Sequence, residues 1–543
     1  MTLLFTAAFL ALAGLLSWPL GKYMAWAMQP GSASGRPPAP PEQDWQHYVR
    51  SLLLFNAIMF AVGYVLLACQ HLLPLNPDGR GPLSADLLLH TISAFVTNTD
   101  LQHYSGEAAL SHLSQLVLMW LQFTSAATGL AALAALARGL SGRTQLGCFY
   151  LDVRRAALFV LLPLAAVIAV LLLFSGVPMT FSGAVSAKTL EGALQTIARG
   201  PVAAFVAIKQ IGTNGGGFFS ANAAHPFENP SFFSNLLECL SIIVLPMASV
   251  WMFGHLTKRM RHAAVIFSVM AALLLGQLGL ALWAESKPAP ALAGLPVQVA
   301  ANMEGKELRF GTAAGPVWAA LTTATSNGSV NAMHDSLNPL AGLAALIGMW
   351  LNVAFGGVGV GLINMFLYII VGVFICGMMV GRSPEYCSRK VETHEMKLAL
   401  LGLLLHPLLI LGGTALFAAT SWGADTVLNK GAHGFSEILY EFSSAAANNG
   451  SGFEGLGDNT APWNIATALV ILLGRYLPII LPLAIVGSLA SKKPVPETSG
   501  TLRTDTGLFG FVILGSVIFI GALLFLPVAV LGPIAEHLAA IKM

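Results

Sequence analysis

The chain of 543 residues is 56% apolar and only 10% charged, against roughly 25% charged residues in soluble domains; this excludes a soluble globular protein and points to a membrane. A net charge of +2 leaves no electrostatic footprint for a nucleic-acid partner. The five cysteines, Cys69, Cys148, Cys239, Cys376 and Cys387, form no C-x-x-C pair and lie in or beside apolar runs, so they read as small buried hydrophobes and not as a disulfide framework.

The first apolar segment, Thr2 to Leu20, has no Lys or Arg before it; the first is Lys22. A secretory signal has the opposite charge order, so this segment reads as a retained helix with its N-terminus outside. Runs long enough to cross a ~30 Å hydrocarbon core occupy 3–20, 52–73, 111–136, 156–174, 236–255, 263–284, 340–380, 398–420, 463–489 and 508–532. These give about ten transmembrane helices, the seventh run being too long for one straight helix. Between them lie 84–96, 188–211, 314–325 and 434–447, too short or too polar to span, which read as re-entrant half-helices.

Each half-helix leads into a short polar motif: Thr97-Asn98-Thr99-Asp100, Gly212-Thr213-Asn214-Gly215-Gly216, Ser326-Asn327-Gly328-Ser329 and Asn448-Asn449-Gly450-Ser451. Aligned on Asn98, Asn214, Asn327 and Asn449 they are 116, 113 and 122 residues apart, the signature of an internal fourfold repeat. A lone Gly-Asn turn between helices would be unremarkable, but four at near-equal spacing are not. The expected fold is an all-α polytopic membrane protein, with four helix–half-helix–motif–helix repeats around a pseudo-fourfold axis. The divisions are an N-terminal helix and linker (1–50), pore repeats at 51–145, 146–262, 263–395 and 396–495, and a closing helix (496–543).

With the N-terminus outside, seventeen Lys and Arg residues fall on the cytoplasmic side, nine on the other and Arg475 within a helix, in agreement with the positive-inside rule. All four motifs then lie in the external half, and both termini face outward. The cytoplasmic loop 30–45, rich in Pro, Gly and Ser, reads as a linker. In the external loop 286–314, the alternation in Met303-Glu304-Gly305-Lys306-Glu307-Leu308-Arg309-Phe310-Gly311 suggests a short strand or hairpin lid over the third half-helix.

Irregular backbone at membrane depth is tolerated where protein buries it or where it lines a watery cavity. Four such loops converging on one axis would present rings of carbonyl oxygens that replace the hydration shell of an alkali cation. Glycine permits the positive φ such rings require, and the half-helix C-termini add partial negative charge. Asp100, Glu107, Glu228, Asp335, Glu454 and Asp458 follow the motifs and are expected at the mouth. The first motif has no glycine and carries the charge of Asp100; the second should allow the closest ion approach.

Gly356, Gly357, Gly359 and Gly361 crowd the seventh run. They read either as an unwound loop below the motifs or as a G-x-x-x-G packing face. Arg475, mid-run in 463–489, costs about 2.5–3.5 kcal/mol at a helix centre on insertion scales and should face a cavity, where its charge would oppose straight-through cation flow. His225-Pro226-Phe227-Glu228 is a ligand-like pair best read as an ordinary mouth loop. The chain lacks both G-x-x-x-x-G-K-[ST] and D-K-T-G, so it binds no nucleotide by a recognisable motif, and an ATP-driven role needs a partner chain. A stand-alone potassium channel or secondary transporter is the alternative.

The helix order, the four motifs, the string from Glu304-Gly305-Lys306-Glu307 to Arg309-Phe310-Gly311, and Gly381-Arg382-Ser383-Pro384-Glu385-Tyr386 together resemble the KdpA family, over nearly the whole chain. These are the potassium-binding subunits of the bacterial Kdp pump, in a superfamily with Trk, Ktr and HKT transporters. The resemblance implies a selectivity filter at the four motifs, potassium as the transported ion, and an intramembrane gating loop at the glycine cluster. It also implies a complex in lipid with the P-type ATPase subunit KdpB, KdpC and the small KdpF, in the cytoplasmic (inner) membrane. Where relatives often have an aromatic after the Asn, this chain reads Thr99-Asp100-Leu101-Gln102; Gln102 is grouped with the pathway residues.

Overall fold

The computed structural model describes residues 2–29, 41–289, 301–379, 381, 383–496 and 502–541. Most of the expected linker (30–40), the first part of the lid loop (290–300) and Arg382 lie outside them. The described residues contain ten helices long and apolar enough to cross a membrane, and the only sheet among them is two two-stranded hairpins.

In chain order, α1 is Thr2–Met28, α2 is Trp45–Ala68, α3 is Ala85–Val96 and α4 is His112–Leu140. Next, α5 is Phe149–Phe174, α6 is Val202–Ile211, α7 is Phe232–Thr257 and α8 is Met260–Glu285. They are followed by α9 (Gly311–Ala324), α10 (Pro339–Leu351), α11 (Val360–Met379) and α12 (Thr393–Ala418). The last are α13 (Ala432–Ala447), α14 (Ala461–Ser491) and α15 (Gly507–Ala539).

The half-helices α3, α6, α9 and α13 have 10 to 16 residues, at most about 24 Å at 1.5 Å per residue, so none reaches across a bilayer core. Of the spanning helices, α4, α7 and α11 are the most enclosed, whereas α1, α2, α5 and α15 present most of their apolar surface outward, as lipid-facing helices do. The outer α1 lies along α7: a Cβ on Gly21 would overlap the Trp251 side chain, and the Trp251 indole N–H donates to Ser17 Oγ at 3.1 Å.

Two expectations need correction. The segment 188–211 is not one half-helix: Val185–Lys188 and Leu194–Ile197 pair as an antiparallel hairpin around Gly192 at φ 89°, and α6 begins only after Gly200-Pro201. The β-branched residues and the glycine turn outweigh the apolar content there. The lid is no hairpin among the described residues. Lys306 instead forms a single antiparallel bridge to Ala332, and its Nζ meets Glu285 Oε2 at 2.6 Å with both side chains buried. Arg309 then donates to the carbonyls of Ala224 (2.6 Å) and Asn229 (3.2 Å). This segment therefore ties the second and third motif loops together. The seventh run, as its length and glycines led one to expect, breaks at 352–359, between α10 and α11.

Candidate functional site

Each half-helix ends in the same closure. The backbone N–H of Thr99 bonds the carbonyl of Ala94, that of Asn214 bonds Lys209, that of Asn327 bonds Thr322 and that of Asn449 bonds Ser444, every one at 2.9 Å. Each reaches back five residues across a left-handed residue, the chemistry that ends many helices. The left-handed residues are Asn98 (φ 66°), Thr213 (48°), Ser326 (49°) and Asn448 (52°). Two residues later the backbone turns left-handed again, at Asp100 (51°), Gly215 (90°), Gly328 (90°) and Gly450 (102°).

This geometry shifts the expected alignment of the first motif by one residue. Thr99, not Asn98, is the counterpart of Asn214, Asn327 and Asn449, and the first spacing is 115 residues instead of 116. Asp100 therefore stands where the other three motifs have glycine. It is not a charge at the mouth: its side chain is buried and turned toward α4, where Gln122 Nε2 donates to its Oδ2 at 2.7 Å.

The four loops meet as a closed ring. Asn214 Nδ2 donates to Asn98 Oδ1 (2.7 Å) and Asn98 Nδ2 to the Thr213 carbonyl (2.7 Å), joining the first quadrant to the second. Asn327 Nδ2 donates to the Lys209 carbonyl (3.0 Å) and Ser329 Oγ to Gln210 Oε1 (2.9 Å), joining second to third. Asn449 Nδ2 reaches the Thr322 carbonyl (2.9 Å), and Asn448 Nδ2 reaches Thr99 Oγ1 (2.9 Å), which closes the circle. The conspicuous asparagines are thus cross-braces between quadrants.

Backbone fills the contact between neighbours. A Cβ built on Gly215 would overlap the Asn327 carbonyl oxygen, one on Gly328 the Asn449 oxygen, and one on Gly450 the Thr99 oxygen. Glycine is required at these three positions both by φ and by the approach of the next quadrant's carbonyl. Gly212 caps α6, its N–H on the Ile208 carbonyl at 2.8 Å. Thr97 Oγ1 donates back to the Ser93 carbonyl at 2.7 Å, and Tyr440 OH and Ser451 Oγ share a hydrogen bond at 2.8 Å.

The glycine cluster lies directly against this ring. Val358 N–H donates to Thr213 Oγ1 at 3.0 Å, Ser326 Oγ to Asn352 Oδ1 at 2.8 Å, and Asn352 Nδ2 to the Ala447 carbonyl at 3.2 Å. Gly357 (φ 85°) has the Thr325 carbonyl 3.2 Å from where its Cβ would be, and Gly359 is also left-handed (84°). Gly356 and Gly361 pack on each other, so the cluster is an unwound loop and not a face for another helix. A small cavity of about 50 Å³ opens here, lined by Asn98, Ser326, Asn352, Gly357, Asn448 and Arg475, and reaches sideways to His406 of α12 and Phe525 of α15. Arg475, almost fully buried, donates from Nη2 to the Ser125 carbonyl at 3.1 Å. Gln102 is elsewhere: it makes a two-point bond with Gly217, Nε2 to the carbonyl at 2.9 Å and Oε1 from the N–H at 2.8 Å, strapping the first and second loops beyond the ring.

Sequence reasoning passed over Lys209. Its fully buried Nζ pairs with Glu228 Oε2 and donates to Asn222 Oδ1 at 2.6 Å, while Asn222 Nδ2 holds the Gly215 carbonyl at 2.7 Å. Glu228, expected at the mouth, is wholly buried in this pair. An ionisable residue in an apolar half-helix was the available signal. Away from the ring, His433 has a carboxylate on each ring nitrogen, Asp335 at 2.9 Å and Glu536 at 2.8 Å. Burial works against its charge, but these two bonds raise its pKa to about 10, so it is an imidazolium at neutral pH.

The fold is shared with the potassium transporter TrkH from Vibrio parahaemolyticus, whose crystal structure matches with a TM-score of 0.53 over 81% of this chain and 84% of that one, at 14% identity. In sequence, the chain is 50% identical over 502 residues to the potassium-transporting ATPase potassium-binding subunit of Geobacillus kaustophilus (strain HTA426), covering 92% of this chain and 89% of the relative. Residues 7–538 match the family described as KdpA, potassium-transporting ATPase A subunit. With the ring of four helix-closing loops and the ten apolar helices around it, these matches establish that this multi-pass membrane protein belongs to the KdpA family.

Proposed function

We propose that this chain selects external potassium in the ring formed by the four loops and passes it on as the ion-conducting subunit of an ATP-driven uptake pump. The observation that carries this reading is the fourfold identical closure, 2.9 Å in every quadrant, with glycine at three of the four junctions, where a neighbour's carbonyl closes in. Rings of backbone carbonyls are the chemistry that replaces an alkali cation's hydration shell. The candidate filter comprises Thr97 to Asp100, Gly212 to Gly216, Ser326 to Ser329 and Asn448 to Ser451, within pore repeats 51–145, 146–262, 263–395 and 396–495.

Below the ring, the loop 352–359 restricts the path, and Arg475 sets a fixed positive charge beside the cavity. A cation is thereby discouraged from running straight through and must be taken off sideways, which suits a pump subunit. ATP hydrolysis belongs to a partner, KdpB, with KdpC and KdpF completing the complex in a bacterial inner membrane, both termini of this chain outside. The test is potassium uptake in cells lacking other potassium systems. The chain expressed with its partners should support uptake and potassium-stimulated ATP hydrolysis, and alone it should support neither. Efficient uptake by the chain alone would overturn the pump reading in favour of a channel. Arg475→Gln in the complex should admit passive leak and lower the potassium moved per ATP; wild-type coupling would remove Arg475 from the account.

A further inference from the structure

Outside the ring, between the first and fourth quadrants, His103, Glu441 and Asp458 bring one nitrogen and two carboxylate oxygens within 4.8 Å of one another. His103 follows the first motif, Glu441 is on α13 and Asp458 follows the fourth motif. His103 and Glu441 are buried, and His103 Nε2 is 3.1 Å from Glu441 Oε1 and 3.9 Å from Asp458 Oδ2. Tetrahedral zinc with N and O ligands at about 2.0–2.2 Å separates its ligand atoms by about 3.3–3.6 Å, the range these distances bracket.

The tautomer of His103 is fixed from behind. Asn464 Nδ2 donates to Asp86 Oδ2 at 2.7 Å, so its Oδ1, 2.7 Å from His103 Nδ1, accepts the ring N–H. That aims Nε2 at two carboxylates, whose negative charge is met either by a proton on Nε2 or by a cation bound between the three groups. An amide or carboxylate orienting the far nitrogen is the usual support of a metal-bound imidazole. His90, fully buried, stacks on the His103 ring with centroids 3.7 Å apart and so fixes the plane in which Nε2 is presented. The His433 cluster makes the contrast. Both His433 nitrogens already meet carboxylates, and Glu437 is taken by Asn429 and the N–H of Leu428, so no donor set is left for a metal.

We propose that His103 Nε2, Glu441 and Asp458 form a binding site for a divalent transition-metal cation of the zinc type, which staples the first and fourth quadrants on the outer side of the ring. One neutral imidazole and two carboxylates balance a 2+ charge, and an imidazole ligand favours zinc over magnesium. The experiment is calorimetric titration of the chelator-treated complex with Zn²⁺. One site per chain is expected, unaffected by millimolar Mg²⁺, with at least tenfold weaker binding in Asp458→Asn and His103→Gln and unchanged binding in Asp335→Asn. Zn²⁺ should also raise the melting temperature of the wild type and not that of Asp458→Asn. Asp458 is partly exposed and Asn is isosteric, so this variant decides the matter should His103→Gln fail to fold. Absence of saturable Zn²⁺ binding in the wild type, or equal binding in Asp458→Asn, would show that the triad is only an imidazolium held by two carboxylates.

Discussion

The first and second quadrants close their half-helices in the same way, yet carry opposite chemistry around the closure. In the second, Gly215 occupies the second left-handed position, and a buried lysine supplies the carbonyl that receives both the Asn214 and Gly215 N–H groups. In the first, Asp100 takes glycine's place at φ 51°, and the carbonyl comes from Ala94. An aspartate tolerates the left-handed region better than most residues, but its Cβ needs room. The second quadrant provides it: a Cβ on Gly216 would lie 2.9 Å from Asp100 Cβ and 2.9 Å from Phe95 Cζ. At the same register the third and fourth quadrants have Ser329 and Ser451. The glycine missing from the first loop is therefore matched by an extra one in the second, and the ring is kept by pairing unlike quadrants.

The largest effect should come from the charge peculiar to the second quadrant. Lys209→Met leaves Glu228 buried without its partner, and breaking a buried ion pair from one side costs about 3–5 kcal/mol. The melting temperature of the complex should fall steeply, and Lys209→Met/Glu228→Gln should recover much of it. A melting temperature unchanged in Lys209→Met would mean that the pair does not brace the ring.

Next comes the glycine that the first quadrant lacks. Gly215→Ser forces a side chain into left-handed backbone, at about 1–3 kcal/mol, and against the Asn327 carbonyl. At 1.4 kcal/mol per factor of ten, the half-saturating potassium for ATP hydrolysis should rise about 10–100-fold, with rubidium admitted more readily. Unaltered kinetics and ion preference would detach Gly215 from the ion path.

The asymmetry explains what the sequence could and could not show. The ten spans, the half-helices and the break near the glycine cluster follow from run length and glycine content, which act locally. Asn214, Asn327 and Asn449 marked their loops because their side chains brace neighbouring quadrants. The first loop was misaligned because Asn98 mimics them one residue early; only the Thr99–Ala94 closure fixes the register. Asp100 was placed at the mouth because sequence shows a charge but not Gln122, 22 residues on, that turns it inward. Lys209 stands alone as a lysine in an apolar half-helix, which was itself a signal. Its partner lies beyond the loop, and His103 and Glu441 are 338 residues apart, a separation that no local pattern bridges.

The pairing of Asp100 with Gly216 yields the smallest effect and the most direct test of the comparison. Gly216→Ala adds one methyl against Asp100 and Phe95, and should raise the half-saturating potassium several-fold. If Asp100 is the reason for that glycine, Asp100→Gly should relieve part of the clash, and the double variant should be less impaired than the two single changes sum to. Contacting residues couple by about 0.5–3 kcal/mol; because Phe95 remains in place, a coupling near ~1 kcal/mol is expected. Asp100→Asn separates space from charge: its amide oxygen can still accept from Gln122, so potassium dependence should stay within about threefold of wild type. Strict additivity of Asp100→Gly and Gly216→Ala would break the compensation argument and leave the third glycine of the second loop answering to Phe95 alone. A large loss in Asp100→Asn would instead mean that the carboxylate charge, and not the left-handed backbone it occupies, is what the first quadrant contributes.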